Sequence, residues 1–128
     1  ARAAGVPDDR LPVVTVTPES TPVTTNHPAL TRRLAAVFRA WFDEQSVKSQ
    51  PPVTGGEDFS EFGRTVHRVP IFIWSVGAAD PRKYADAEKR GAVLPSNHSP
   101  LAEFVPDPTL KVCVTSMAAA VLELLAKK

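Results

Sequence analysis

The chain has 128 residues, 43% apolar and 23% charged, with a formal net charge of +1. That length fits one compact domain, or part of one, and the balanced charge leaves no electrostatic footprint for nucleic acid and no signature of disorder. The single Cys113 permits no internal disulfide, and no run of apolar residues is long enough to span a bilayer.

Residues 1–5 lack the apolar stretch of a secretory signal, so a targeting segment is expected upstream or not at all. The expected setting is soluble, cytoplasmic or periplasmic. Residues 11–18, LPVVTVTP, are β-branched and bounded by prolines, which predicts an exposed strand. Extended character continues through Val23 and Thr24, and Asn26 offers a side-chain cap before Pro28 in a first helical turn. From near residue 27, Leu30, Leu34, Val37, Phe38, Trp41 and Phe42 form the stripe of an amphipathic helix.

Residues 46–49 read as a short strand, and Pro51-Pro52 followed by Gly55-Gly56 as a designed loop. A short helix is predicted from Asp58 to about Arg64, with Phe59, Phe62 and Val66 on one side. The run VPIFIWSV at 69–76 predicts an interior strand covered on both faces. Residues 80–97 carry the charged stretch DPRKYADAEKR and read as a solvated excursion with one turn of helix. Asp107 and Pro108 look like a cap and first turn, followed by an apolar stripe of Leu110, Val114, Met117, Ala118, Val121, Leu122 and Leu125. Lys127 and Lys128 suit the negative end of that helix. Together these elements predict an α/β fold with helices packed on a mixed sheet. A composition shift near Asn26 predicts a domain crossing there.

Two loops stand out chemically, Gly55-Gly56-Glu57-Asp58-Phe59 and Ser96-Asn97-His98-Ser99-Pro100. Two acids after a glycine pair suit a helix start, where free amides and the dipole favour negative charge. His98, between short polar residues, can present a neutral imidazole to a metal, but no second histidine or cysteine stands at a ligand spacing. Cys113, among Val112, Val114 and Met117, reads as a buried inert thiol, and His27 and His67 as solvated.

The ordered succession PVTTNHPAL, GGEDFSEFG, VPIFIWSVG, NHSP and an alanine-rich terminal helix resembles the end of M20 peptidase superfamily amidohydrolases, in the hippurate hydrolase and N-acyl-amino-acid hydrolase branch. The likeness runs from about Arg10 to Leu125. Departures are His27 where the family commonly has an acid, Gly56 where serine is frequent, and Ala102-Glu103 before Phe104.

The resemblance implies that residues 1–24 close a lid and dimerisation domain, and that residues 25–128 are the second half of an M20-type metallohydrolase catalytic domain. It implies two divalent metals (zinc, manganese, nickel or cobalt) in a complete active site, with His98 as the one ligand in this segment and no catalytic residue here. Gly56, Glu57, Asp58 and Ser99 are implied to support the pocket. The implied partners are an N-acyl or N-aroyl amino acid or small peptide substrate, the N-terminal part of the same enzyme, and a second subunit in a homodimer, with neither nucleic acid nor membrane. The segment alone is expected to be inactive. A non-catalytic binding or assembly module that retains the half-fold is the alternative.

Overall fold

A computed structural model describes residues 1–126. Two short 3-10 turns, Arg2–Ala4 and Asp8–Arg10, open the chain. Helix α1 spans Pro28–Phe42, a 3-10 helix spans Asp58–Arg64, α2 spans Pro81–Lys89, and α3 spans Pro106–Leu125. Among the described residues there is no strand, so the expected mixed sheet is not present.

The reason lies in pairing rather than in local preference. From Phe72 to Ala78 burial alternates residue by residue, the period of extended chain. A strand also needs a neighbouring backbone ladder, and residues 69–76 meet only one residue of one. The His27 amide donates to the Ile71 carbonyl at 2.9 Å. Beside it the Asn26 side chain stands in for a peptide group: Nδ2 donates to the Ile73 carbonyl at 2.7 Å, and Oδ1 accepts from the Ile73 amide at 2.8 Å. Residues 11–18 and 46–49, also expected as strands, have no ladder either.

Helix α1 follows its stripe except at Trp41, which is 55% exposed. Leu34 and Phe38 are buried, and Leu30, Val37 and Phe42 pack at their margin with Val47, Phe72 and Trp74. The Phe38 ring lies 5.3 Å from Trp74 and 6.2 Å from Phe72, so one face of the extended run covers the helix. The other face is open, contrary to the expectation of cover on both sides, with Ile73 exposed. His27, not Asn26, is the N-cap of α1, its Nδ1 accepting from the Leu30 amide at 3.4 Å. The helix ends at Asp43, whose carboxylate accepts from the amide and the hydroxyl of Ser46.

Helix α3 turns an unexpected face inward. Its buried residues are Ser116, Ala119 and Ala120, while the predicted stripe is exposed, from Leu110 and Val114 through Met117, Ala118, Val121 and Leu122 to Leu125. Small side chains let α3 approach α1 closely. Arg33 fixes the approach, its Nε donating to Glu123 Oε1 and its Nη2 to the Glu123 carbonyl, both at 2.7 Å. Ser116 Oγ accepts from the Trp74 indole at 3.3 Å and donates to the Cys113 carbonyl at 3.1 Å. Cys113 is half-buried rather than buried.

Helix α3 begins at Pro106 with Val105 as N-cap, two residues before the expected start. By length and composition it is long and apolar enough to cross a bilayer, with a mean hydropathy of 1.5. The contrary expectation counted uninterrupted apolar residues, whereas Lys111, Thr115, Ser116 and Glu123 interrupt the run and still leave the mean hydropathy at 1.5. Lys127 and Lys128 lie outside the described residues.

The charged stretch after Asp80 forms a full helix instead of one turn. Asp80 Oδ1 accepts from the amides of Arg82 at 2.8 Å and Lys83 at 3.2 Å, with Pro81 at the first helical position. Those amide bonds, Arg82 first and then Lys83, hold the Asp80 carboxyl below the ordinary aspartate value. Lys83 pairs with Glu103, which raises its ammonium pKa and ties α2 to the segment before α3.

Candidate functional site

The loop that carries His98 is built from two successive tight turns. The Ser99 amide donates to the Ser96 carbonyl at 2.9 Å, and the Ala102 amide to the Ser99 carbonyl at 3.1 Å. Ser99 Oγ accepts from the Leu101 amide at 3.1 Å, so this hydroxyl locks the turn by bonding its own backbone two residues on. His98 stands exposed at the tip, while Ser99 is half-buried. The turn presents an exposed imidazole whose unprotonated nitrogen can accept from a donor or bind a cation while the other nitrogen donates.

Glu57 is the N-cap of the 3-10 helix, its Oε1 accepting from the Phe59 amide at 3.1 Å. Its carbonyl accepts from the Thr24 hydroxyl at 3.2 Å, which joins this loop to the segment before α1. Gly56 and Asp58 are exposed, and a Cβ added at Gly56 would meet nothing within 4 Å. The capping function expected of these acids is therefore carried by Glu57. Among the described residues, no hydrogen bond or ion pair joins Gly56, Glu57 or Asp58 to His98 or Ser99.

A dinuclear metal site needs several nitrogen, sulfur or carboxylate donors around each ion. Among the described residues, no group of three or more such side chains is close enough to hold a metal. The residues of this segment therefore do not by themselves fit a complete metal centre.

Two concavities lie elsewhere. A groove of about 370 Å³ between α1 and α3 is lined by Val37, Ala40, Trp41, Ala119, Leu122 and Glu123. An open hollow of about 320 Å³ lies at the start of α1, with His27, Ser60, Arg64 and Arg68 in its lining. The sequence reading gave these four no role beyond a solvated His27. The basic pair in GRTVHR, directly after the 3-10 helix, was the available signal.

Searches of curated proteins and of solved structures return no match. The profile of Peptidase family M20/M25/M40 matches residues 13–123, nearly the whole chain and all five landmarks named above. Membership of that family carries a coarse chemical class, a hydrolase of the metallopeptidase kind whose members generally use divalent metals. The chain belongs to peptidase family M20/M25/M40.

Proposed function

We propose that this segment is the C-terminal half of the catalytic domain of an amidohydrolase in the hippurate hydrolase and N-acyl-amino-acid hydrolase branch. Its substrate class is the N-acyl or N-aroyl amino acid or small peptide, and its active site holds two divalent metals. Residues 1–24 belong to the lid and dimerisation domain, and the complete enzyme is a homodimer. His98 contributes one imidazole to the metal site, and the other donors come from the N-terminal half. Gly56, Glu57, Asp58 and Ser99 shape the pocket around it.

The observation that carries this reading is the amount of exposed surface. The segment exposes 11044 Å², about two-thirds more than the roughly 6,600 Å² that a folded monomer of its mass presents. The exposed apolar side chains include the outward stripe of α3, Ile73 in residues 69–76, and Val13, Val14, Val16, Val53, Val66 and Val93 in the connecting segments. Apolar exposure on this scale supports a reading in which further chain covers part of this surface. The exposure of His98 at the tip of a hydrogen-bonded turn supports reading it as one donor to a site assembled from two halves.

The test is a pair of variants in the full-length protein. His98→Ala should lower bound metal, measured by plasma mass spectrometry, and cut kcat for a hippurate-like amide by about 100-fold or more, because ligand loss exceeds the 10- to 100-fold cost of disturbing a ligand's support. His67→Ala, also exposed, should leave both within twofold of wild type. Full activity and full metal occupancy in His98→Ala would remove His98 from the site.

A further inference from the structure

The hollow at the start of α1 carries chemistry that the hydrolase reading leaves unused. None of Gly56, Glu57, Asp58, His98 and Ser99 lines it. Three sources of positive potential meet there instead. The first is the N-terminus of α1, a helix of 15 residues whose end, with Pro28 at its first position, borders the hollow. The His27 cap accepts from the Leu30 amide at 3.4 Å and Pro28 has no N–H, so this end contributes through the helix dipole.

The second is Arg64, which meets Glu61 at 4.0 Å with both side chains well exposed, a weak pairing. The third is Arg68, which forms no ion pair among the described residues. Its backbone sits at φ 45°, a region L-residues rarely adopt, in a turn closed by its amide on the Thr65 carbonyl at 2.9 Å. Glycine would hold that turn with less strain, so the side chain is kept against a conformational cost. In the same lining Ser60 is 3% exposed, and its hydroxyl has no hydrogen-bond partner among the described residues. Buried hydroxyls ordinarily find one.

We propose that this hollow binds a phosphate group, either free or carried as the ester of a small metabolite. Two guanidiniums and a helix end, offset in part by Glu61, exceed the charge of a single carboxylate and match a dianion. Arginine forks suit phosphate oxygens, the α1 dipole adds positive potential, and the Ser60 hydroxyl lacks the acceptor that a phosphate oxygen would supply.

The experiment is calorimetric titration of the full-length protein with inorganic phosphate, glycerol phosphate and acetate at matched ionic strength. One saturable phosphate or phosphate-ester site per chain is expected, with acetate at least about tenfold weaker. Tighter binding of the ester assigns the site to a metabolite, and tighter binding of inorganic phosphate assigns it to the free ion. Arg68→Gln and Arg64→Gln should each weaken binding by about tenfold or more, the usual consequence of losing a charge-assisted bond. Arg68→Gly should weaken it equally while raising Tm, because it relieves the positive φ; this variant also answers the question if Arg68→Gln fails to fold. Absence of a saturable site, acetate binding as tightly as phosphate, or phosphate binding that survives unchanged in the arginine variants would overturn the proposal.

Discussion

Residues 11–18 and 69–76 are alike in composition, both β-branched runs that read as strands, yet they end in opposite environments. Val13, Val14 and Val16 are 91%, 85% and 88% exposed, whereas Phe72 and Trp74 pack against Phe38 of α1. Neither run has a backbone ladder. What separates them is a neighbour: alternate side chains of the second run find a helix to cover, and those of the first find nothing within the segment. β-propensity describes fitness for a half-buried pleated surface, and it has no effect where that surface is missing.

The largest effect that would sharpen this contrast comes from truncating its packed side. Phe38→Ala should destabilise the full-length protein by about 3–5 kcal/mol, as large-to-small changes in a filled core do, and Val14→Ala by no more than about 0.5 kcal/mol. Urea denaturation of the two variants measures the difference. Equal losses would show that residues 11–18 are covered in the complete protein, and the contrast would then belong to the segment alone.

A middle-sized effect is expected at the junction of the two regions. Asn26→Ala removes both bonds to the Ile73 backbone and should cost about 1–2 kcal/mol. Asn26→Asp should recover only the half in which Oδ1 accepts, because a carboxylate cannot donate to the Ile73 carbonyl. Full recovery by aspartate would mean that the donor half contributes nothing.

The smallest effect concerns α2, which lies outside both regions and is held by its own cap. The Asp80 carboxyl is lowered in the folded state by the Arg82 and Lys83 amides, so its contribution is complete above the ordinary aspartate value of 3.8 and is lost as pH falls through the lower folded value. Carbon-detected NMR titration of the carboxyl should give a midpoint below 3.8. A midpoint at or above that value would show that the cap is not formed.

How much of this could be read in advance follows the range of each interaction. The stripe of α1 was legible because a 3.6-residue period is a local property. Helix α2 reads as only one turn because its charged residues lack an apolar period, although Asp80-Pro81 carries the same Asp-Pro pair as Asp107-Pro108. In α3 the apolar stripe is legible but lies on the exposed side, since hydrophobicity marks a face to be covered without saying which neighbour covers it. Ser116, Ala119 and Ala120 face α1 because only small residues fit there. The sheet failed for the same reason, pairing being non-local. Around the candidate site, Glu57 and His98 were legible as motif residues, while the Arg64 and Arg68 hollow depends on a chain reversal that no periodicity announces.

The Asn26 bridge also bears on the order in which the chain assembles. It joins positions 47 residues apart, and closing a loop of that length costs about 3 kcal/mol of chain entropy before any contact offsets it. Helices α1, α2 and α3 need only neighbours a turn away and can form first. The Asn26 side chain, together with the one backbone bond from His27 to Ile71, then sets the alignment of two segments that form no ladder among the described residues. A slip by one residue would place it opposite Phe72 and turn that ring and Trp74 away from Phe38. Asn26 is thus expected to act on alignment late in assembly, and its loss should leave helix content intact and show chiefly as slow or heterogeneous refolding in stopped-flow measurements.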